Sequence, residues 1–254
     1  MIVAVDVGNM NIIIGFFDGE NLVNKCRLST AVNDSAEEYA IKFNSIFEIC
    51  KINTADIDGS VLSSVVPPLN RTISKALMLI TGKMPIVVGP GVKTGLNIKI
   101  NNPAELGADM VVGAVAGIAK YPCPQIIFDL GTATTASVID KNGCFVGCAI
   151  LCGVKTALNA LASSTAQLPQ IEIAAPENAI GTNTIDSMRS GTVFGTAAMI
   201  DGLIKRFESE LGEKATVIVT GGLGRVIADN CESDIIVDRH LLIDGLRIIY
   251  EKNN

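Results

Sequence analysis

Two segments place the same chemically useful residues in the same order. Ile2-Val3-Ala4-Val5-Asp6-Val7-Gly8-Asn9-Met10-Asn11 and Ile126-Ile127-Phe128-Asp129-Leu130-Gly131-Thr132-Ala133-Thr134 are each a short apolar run ending in Asp-x-Gly, followed by small or polar residues. A buried strand whose turn must present backbone N–H groups and a carboxylate to a phosphate and its metal needs this pattern. Glycine lets the backbone approach a bulky anion, the side chains of Asn9, Asn11, Thr132 and Thr134 donate hydrogen bonds, and a strand-end Asp can order a cation or its water. No Gly-Lys-Ser/Thr follows either copy, and neither contains Gly-x-Gly-x-x-Gly, so these are not Walker or dinucleotide loops. One Asp-x-Gly alone would read as a tight turn. Two copies, the second near mid-chain, point to a nucleotide held in a cleft between related halves.

A chain of 254 residues, 48% hydrophobic and 18% charged, can bury a substantial core and fill two lobes of ordinary size. The net charge of −6, with no basic cluster, leaves no electrostatic footprint for nucleic acid and argues equally against an anionic membrane surface. The chain enters a strand at once, with no basic segment ahead of an apolar one, and its uncharged stretches are too short to span a bilayer. A cytoplasmic protein is expected. Seven cysteines and no leader read as reduced thiols.

Cys144, Cys148 and Cys152 recur every fourth residue. On a strand that spacing spreads thiols too far for one metal, and no zinc pattern accompanies them, so they read as small buried residues. The single histidine, His240, has no nucleophile or acid patterned around it and reads as a surface or helix-entry residue.

The elements that must position the loops follow from periodicity. Strands are expected near Ile2 to Asp6 and Ile12 to Phe17, the second turning at Asp18-Gly19, which makes the opening antiparallel and the sheet mixed. Ser35-x-x-Glu38 predicts a capping box, with Tyr39, Phe43, Ile46, Phe47 and Cys50 at helical spacing behind it. Strands near Gly59 to Ser63 and Pro85 to Val88 flank a helix around Leu69 to Ile80. Asn102-Pro103-x-Glu105 predicts the start of a further helix, in which Asp109 sits one turn along an otherwise apolar or small surface. Periodicity alone favours a dipole-stabilised Asp there over a general base. Asn183-Thr184-x-x-Ser187 opens a long helix past Leu203 and Phe207, with Gly191 and Gly195 permitting another helix to approach. The buried run Ala215 to Thr220 then ends in Gly221-Gly222, suited to a base or ribose lying against the backbone.

Asp6-x-Gly8-Asn9-x-Asn11, Gly107-Ala108-Asp109, Asp129-x-Gly131-Thr132-Ala133-Thr134, Asn183-Thr184 with Met188 and Ser190-Gly191, Thr220-Gly221-Gly222 and Gly245-Leu246-Arg247-Ile248-Ile249-Tyr250 occur in an order that resembles the type III pantothenate kinases along essentially the whole chain. The resemblance implies an α/β fold of the sugar kinase, Hsp70 and actin (ribonuclease H-like) type. Two related lobes, here 1–118 and 119–254, would carry mixed sheets flanked by helices. It also implies a homodimer and ATP-dependent phosphorylation of pantothenate, the first step toward coenzyme A.

Carried over by position, Asp6, Val7, Gly8, Asn9, Met10, Asn11, Ile12 and Ile13 form the ATP phosphate loop, with Thr132, Gly221 and Gly222 as further nucleotide contacts. Asp109 is the general base; Ile100, Gly107, Ala108, Asp109, Met110 and Thr184 line the pantothenate site. Asp129 holds a monovalent cation, K⁺ or NH₄⁺, and Asp6 the Mg²⁺ (or Mn²⁺) that accompanies ATP. That division suits phosphoryl transfer, which depends on positioning, charge neutralisation and a carboxylate that takes the nucleophile's proton.

Four places depart from the family pattern. Met10 stands where the family has Thr, Met110 where it usually has Arg, and Ile100 where a Tyr is common; the Gly-Gly-Ala-Ile-x-Pro-Gly segment reads Gly147-Cys148-Ala149-Ile150-Leu151-Cys152-Gly153. Losing an Arg paired with a buried anion costs about 2–5 kcal/mol. An alternative reading is therefore a catalytically impaired paralogue that binds nucleotide as a regulatory or partner subunit, in a heteromer with an active copy.

Overall fold

The computed structural model describes residues 1–254. The apolar run ending at Asp6 is β1 (Ile2–Val7), followed by β2 (Asn11–Asp18) and β3 (Asn21–Ser29), each antiparallel to the one before. Gly19 makes the expected turn between β2 and β3 at φ +57°, a conformation open to glycine without a Cβ penalty. Next comes α1 (Ala36–Ile49), closed at its start by the expected reciprocal box: Glu38 N–H donates to Ser35 Oγ, and Ser35 N–H to the Glu38 carboxylate. Then β4 (Gly59–Ser64) pairs parallel with β1, α2 (Pro67–Thr81) follows, and β5 (Ile86–Val87) pairs parallel with β4. The sheet order is β3-β2-β1-β4-β5.

One face of this sheet makes the core. Val3, Val5 and Val7 of β1, Ile12, Ile14 and Phe16 of β2, and Leu62 of β4 pack with Tyr39, Phe43 and Phe47 of α1 and Leu69, Ile73 and Leu77 of α2. Phe16 meets Phe47 edge-on, ring centroids 5.0 Å apart, a contact of about 0.5–1.5 kcal/mol beyond the area it buries. Alternation then sends Ile2, Ala4 and Asp6 to the opposite face.

After β6 (Asn97–Ile98) the expected helix start is corrected. Pro103–Glu105 forms a separate 3-10 turn, and α3 (Ala108–Lys120) begins five residues later than the Asn-Pro signal implies. The Asn102 side chain makes no capping bond; its amide donates to Glu105 Oε1 at 2.7 Å, and Leu106 is extended (ψ 124°), which ends the turn. Asp109 thus stands in the first turn of α3, not one turn further in.

The second half repeats the plan. β7 (Gln125–Leu130), β8 (Ala133–Ile139) and β9 (Cys144–Cys152) form an antiparallel meander; α4 (Val154–Ser163) and α5 (Thr184–Leu211) precede β10 (Thr216–Thr220), which pairs parallel with β7, and α6 (Gly224–Ala228) precedes β11 (Ile236–Val237), parallel to β10. The order β11-β10-β7-β8-β9-β6 reproduces that of the first sheet strand for strand, with β6 added at the edge. Ile126, Phe128 and Leu130 of β7 pack with Val193, Ala197, Ile200 and Ile204 of α5. The chain finishes in α7 (Leu241–Lys252).

Residues 1–96, 102–116 and 241–254 make one compact unit; 97–101 and 117–240 make the other. α7 therefore belongs with the first sheet. A Cβ on Gly59 of β4 would lie 2.4 Å from the Tyr250 hydroxyl, and one on Gly245 would lie 2.2 Å from the Val112 carbonyl oxygen of α3, so glycines allow both approaches. No helix is long and apolar enough to cross a membrane.

Candidate active site

In the first unit the proposed phosphate loop joins β1 to β2. Gly8 N–H donates to the Asn11 carbonyl at 2.9 Å, Thr30 N–H to the Met10 carbonyl at 3.0 Å, and Thr30 Oγ1 to the Gly8 carbonyl at 2.7 Å. Three of the four loop carbonyls are engaged, which lowers the negative potential an anion would meet. Asn9, Met10 and Asn11 are exposed, Val7 and Ile12 are buried, and Asp6, Gly8 and Ile13 lie between. Met10 presents a thioether to solvent at the loop tip, 47% exposed. Thr30 was not legible as a loop residue, because its role arises from β3 pairing back along β2.

In the second unit the corresponding loop is one residue shorter. Gly131 N–H donates to the Ala133 carbonyl at 3.1 Å, and Thr156 Oγ1, in the first turn of α4, donates to the Thr132 carbonyl at 2.8 Å. Gly153 closes the support: a Cβ there would fall 2.2 Å from the Thr132 carbonyl oxygen and 2.4 Å from that of Gly131. Gly153 and Thr156 are further supporting residues that sequence reasoning missed. Gly221, at φ +93°, ends β10 against the same strand, its Cβ position 2.7 Å from the Leu130 carbonyl oxygen and 2.9 Å from Asp129 Oδ1. Asp129, Gly131, Thr132 and Gly221 are thereby brought together, and Gly222 follows them in the exposed turn.

Asp109 is half-buried, and Met110 N–H donates to its Oδ1 at 2.9 Å. Burial raises its carboxyl above the ordinary carboxylate range, and the backbone N–H bonds of Met110 and Asp109 itself oppose the rise without cancelling it. A base of raised pKa binds a proton more readily, which suits a group that must accept one from an alcohol. Gly107 makes room: a Cβ there would lie 2.5 Å from Asp109 Oδ1 and 3.4 Å from Met110 Cε. Gly107, Ala108, Asp109 and Met110 are all intermediate in burial.

Thr184 and Ile100 lie in the second unit. Thr184, exposed, opens onto a cavity of about 1050 Å³ bounded by α4, α5 and the segment between them, with Thr134, Cys152, Met188 and Gly191 also on its wall. That is room for a small ligand. The Thr134 hydroxyl is fully buried with no hydrogen-bond partner. Ile100 follows β6, half-buried, two residues beyond its pairing with Phe145.

The cysteine reading needs correction. All three lie on β9, but only Cys144 is buried; Cys148 and Cys152 are exposed, because the far half of β9 passes beyond the core. His240 is an exposed residue just ahead of α7, as expected, and its backbone N–H donates to Asp238 Oδ1 at 2.9 Å.

The donor set fits the ions that the resemblance implies. No three His, Cys, Asp or Glu side chains group into a metal cage. Mg²⁺ is ordinarily held by one or two carboxylates together with substrate phosphates, a role open to Asp6. At Gly221 the Leu130 carbonyl oxygen and Asp129 Oδ1 both crowd the position a Cβ would take, so only glycine lets this turn lie against them, and these two oxygens are the donors a monovalent cation beside Asp129 would use.

Comparison with known proteins shows the family. The sequence profile of the type III pantothenate kinases matches residues 2–206. A type III pantothenate kinase of an Exiguobacterium species is 47% identical over 253 residues, covering 100% of this chain and 99% of its own. The corresponding protein of Halalkalibacterium halodurans is 42% identical, with 100% of both chains covered. Among solved structures, component A of (R)-2-hydroxyglutaryl-CoA dehydratase from Acidaminococcus fermentans superimposes with a TM-score of 0.57 at 14% identity, covering 98% of this chain and 96% of that one. An inorganic polyphosphate/ATP-glucomannokinase from Arthrobacter gives 0.52 at 15%, covering 99% and 97%. These two likenesses concern the fold alone, which is that of the sugar kinase, Hsp70 and actin superfamily. With its paired sheets, its duplicated Asp-x-Gly loops and relatives matched from end to end, this chain belongs to the type III pantothenate kinase family.

Proposed function

We propose that this protein transfers the γ-phosphoryl group of ATP to the hydroxyl of pantothenate, the first step of coenzyme A synthesis. The observation that carries the reading is Asp109: a half-buried carboxylate with raised proton affinity, oriented by the Met110 N–H and given room by Gly107, in a chain matched along its whole length by pantothenate kinases. One Asp109 oxygen is held by that N–H, and the other takes the acceptor proton as the new P–O bond forms. The family resemblance assigns the loop Asp6 to Ile13, Thr132, Gly221 and Gly222 to the nucleotide. Mg²⁺ bound with ATP neutralises phosphate charge, and Asp6 is the residue that would order it. Asp129, with the Leu130 carbonyl beside Gly221, would hold K⁺ or NH₄⁺.

The family resemblance assigns Gly107 to Met110, Ile100 and Thr184 to the acceptor. Met110 supplies no cation for the pantothenate carboxylate, so acceptor binding is weaker than with an Arg there. The exposed apolar side chains Ile150, Leu161, Ile180 and Ile185, all in the second unit, support a homodimer built on that unit.

The test is ATP-dependent phosphorylation of pantothenate with Mg²⁺ and K⁺, comparing the wild type with Asp109→Asn and Met110→Arg. Turnover lost in Asp109→Asn establishes the kinase. No turnover in the wild type, with activity gained in Met110→Arg, would mark a degenerate site and overturn the reading.

A further inference from the structure

The duplication extends to a pair of residues that neither loop contains. In the first sheet Asp6 of β1 lies directly beside Ser63 of the parallel strand β4; in the second, Asp129 of β7 lies directly beside Thr220 of the parallel strand β10. Partners in adjacent parallel strands sit about 4.8 Å apart and point to the same face, so each acid has a hydroxyl side chain at its flank. In the first unit that face is the one opposite the Val3, Val5, Val7 and Leu62 core. In the second, the Gly221 geometry places Asp129 Oδ1 at the end of β10, one residue from Thr220.

Ser63 is fully enclosed, and its Oγ has no hydrogen-bond partner. An enclosed hydroxyl left unbonded costs stability that Ala at the same place would not. What sets Ser63 apart is its register beside the Asp6 carboxylate, a partner it can gain in the loaded state. Resting on the cation roles assigned to Asp6 and Asp129 above, we infer that Ser63 and Thr220 are matched positioning residues: each hydroxyl donates to its neighbouring carboxylate when that carboxylate takes up its cation, fixing the orientation of the acid. Ser63 acts on the Mg²⁺-nucleotide side and Thr220 on the monovalent-cation side.

Ser60 provides an internal control. It lies three residues earlier on the same strand, on the opposite face, with a hydroxyl equally buried and equally unbonded. The experiment is titration calorimetry of the full chain with the Mg²⁺ complex of a non-hydrolysable ATP analogue, over a series of K⁺ concentrations. Variants Ser63→Ala, Ser63→Thr, Thr220→Val, Ser60→Ala and Asp6→Asn are compared after thermal melting shows that each is folded.

Ser63→Ala is expected to weaken binding of the Mg²⁺ complex about 5- to 10-fold, with the K⁺ concentration for half-maximal effect unmoved. Thr220→Val is expected to raise that K⁺ concentration by a similar factor and leave the Mg²⁺ requirement alone. Ser63→Thr retains binding, and Ser60→Ala matches the wild type. Wild-type binding by folded Ser63→Ala and Thr220→Val, or an equal loss in Ser60→Ala, overturns the inference. If Asp6→Asn weakens binding and Ser63→Ala does not, only the inference falls. If Asp6→Asn itself binds as the wild type, the role given to Asp6 falls first and Ser63 with it.

Discussion

The two Asp-x-Gly loops come from the same strand arrangement but are held in different ways. The first, four residues long between Val7 and Ile12, is tied by Thr30 at the end of a neighbouring strand; the second, three residues long between Leu130 and Thr134, rests on the first turn of α4 through Gly153 and Thr156. A strand-borne tie is one side-chain hydrogen bond beside a backbone one. A helix-borne support is backbone against backbone, with no room for a methyl group. The first loop should therefore tolerate change better than the second. The first unit also carries Asp109, a half-buried acid whose carboxyl pKa is raised by burial.

The sharpest way to test that asymmetry is to remove the acid. Asp109→Asn is expected to lower kcat by about 10²- to 10⁴-fold, measured by phosphorylation of pantothenate, with little change in ATP affinity. The same variant has a stability signature. Because burial raises the Asp109 carboxyl above its unfolded value, the folded protein holds that proton to higher pH, and stability is lost as pH climbs from the unfolded value through the folded one. Asp109→Asn should thus melt higher than the wild type at neutral pH, the difference closing as pH falls below about 4. A variant that melts lower at pH 7 would contradict the burial cost.

Next in size is Gly153→Ala. Its methyl group would meet carbonyl oxygens that cannot swing aside, so the expectation is about 1–3 kcal/mol of lost stability, read by denaturant unfolding, together with weaker nucleotide binding. Thr30→Val removes one hydrogen bond from the first loop while its backbone bond to Met10 remains. About 1 kcal/mol, or roughly fivefold in ATP affinity, is expected. Thr156→Val should do less, about 0.5 kcal/mol, since its hydroxyl is exposed and Gly153 still supports the loop. Thr156→Val costing more than Gly153→Ala would reverse the comparison.

Much of this arrangement was legible from residue order. The capping box at Ser35 and Glu38, the Gly19 turn and the long helix capped by Asn183 all form as local chemistry dictates. The late start of α3 was not legible, because the Asn102 amide pairs with Glu105 and no sequence signal separates that bond from a cap. Thr30, Gly153 and Thr156 were also hidden. Their work depends on which distant backbone lies beside them, and a one-dimensional pattern does not carry that. The Asp109 carboxylate is the intermediate case: periodicity favoured a dipole role, the family pattern a base, and its burial and first-turn placement at α3 serve both.

The return of α7 to the first sheet has a consequence for how the protein is made. Ribosomal synthesis delivers β1 to β5 early, yet the face of that sheet carrying Ile2 is met by a helix ending at Lys252, with Ile243 seated on Gly15, Tyr250 on Gly59 and Gly245 closed on Val112. The first unit thus stays open on one side until the whole second unit has emerged. Its folding is set by contacts nearly the full chain apart, which makes it the slower of the two to mature and the one more exposed to misassembly on the way.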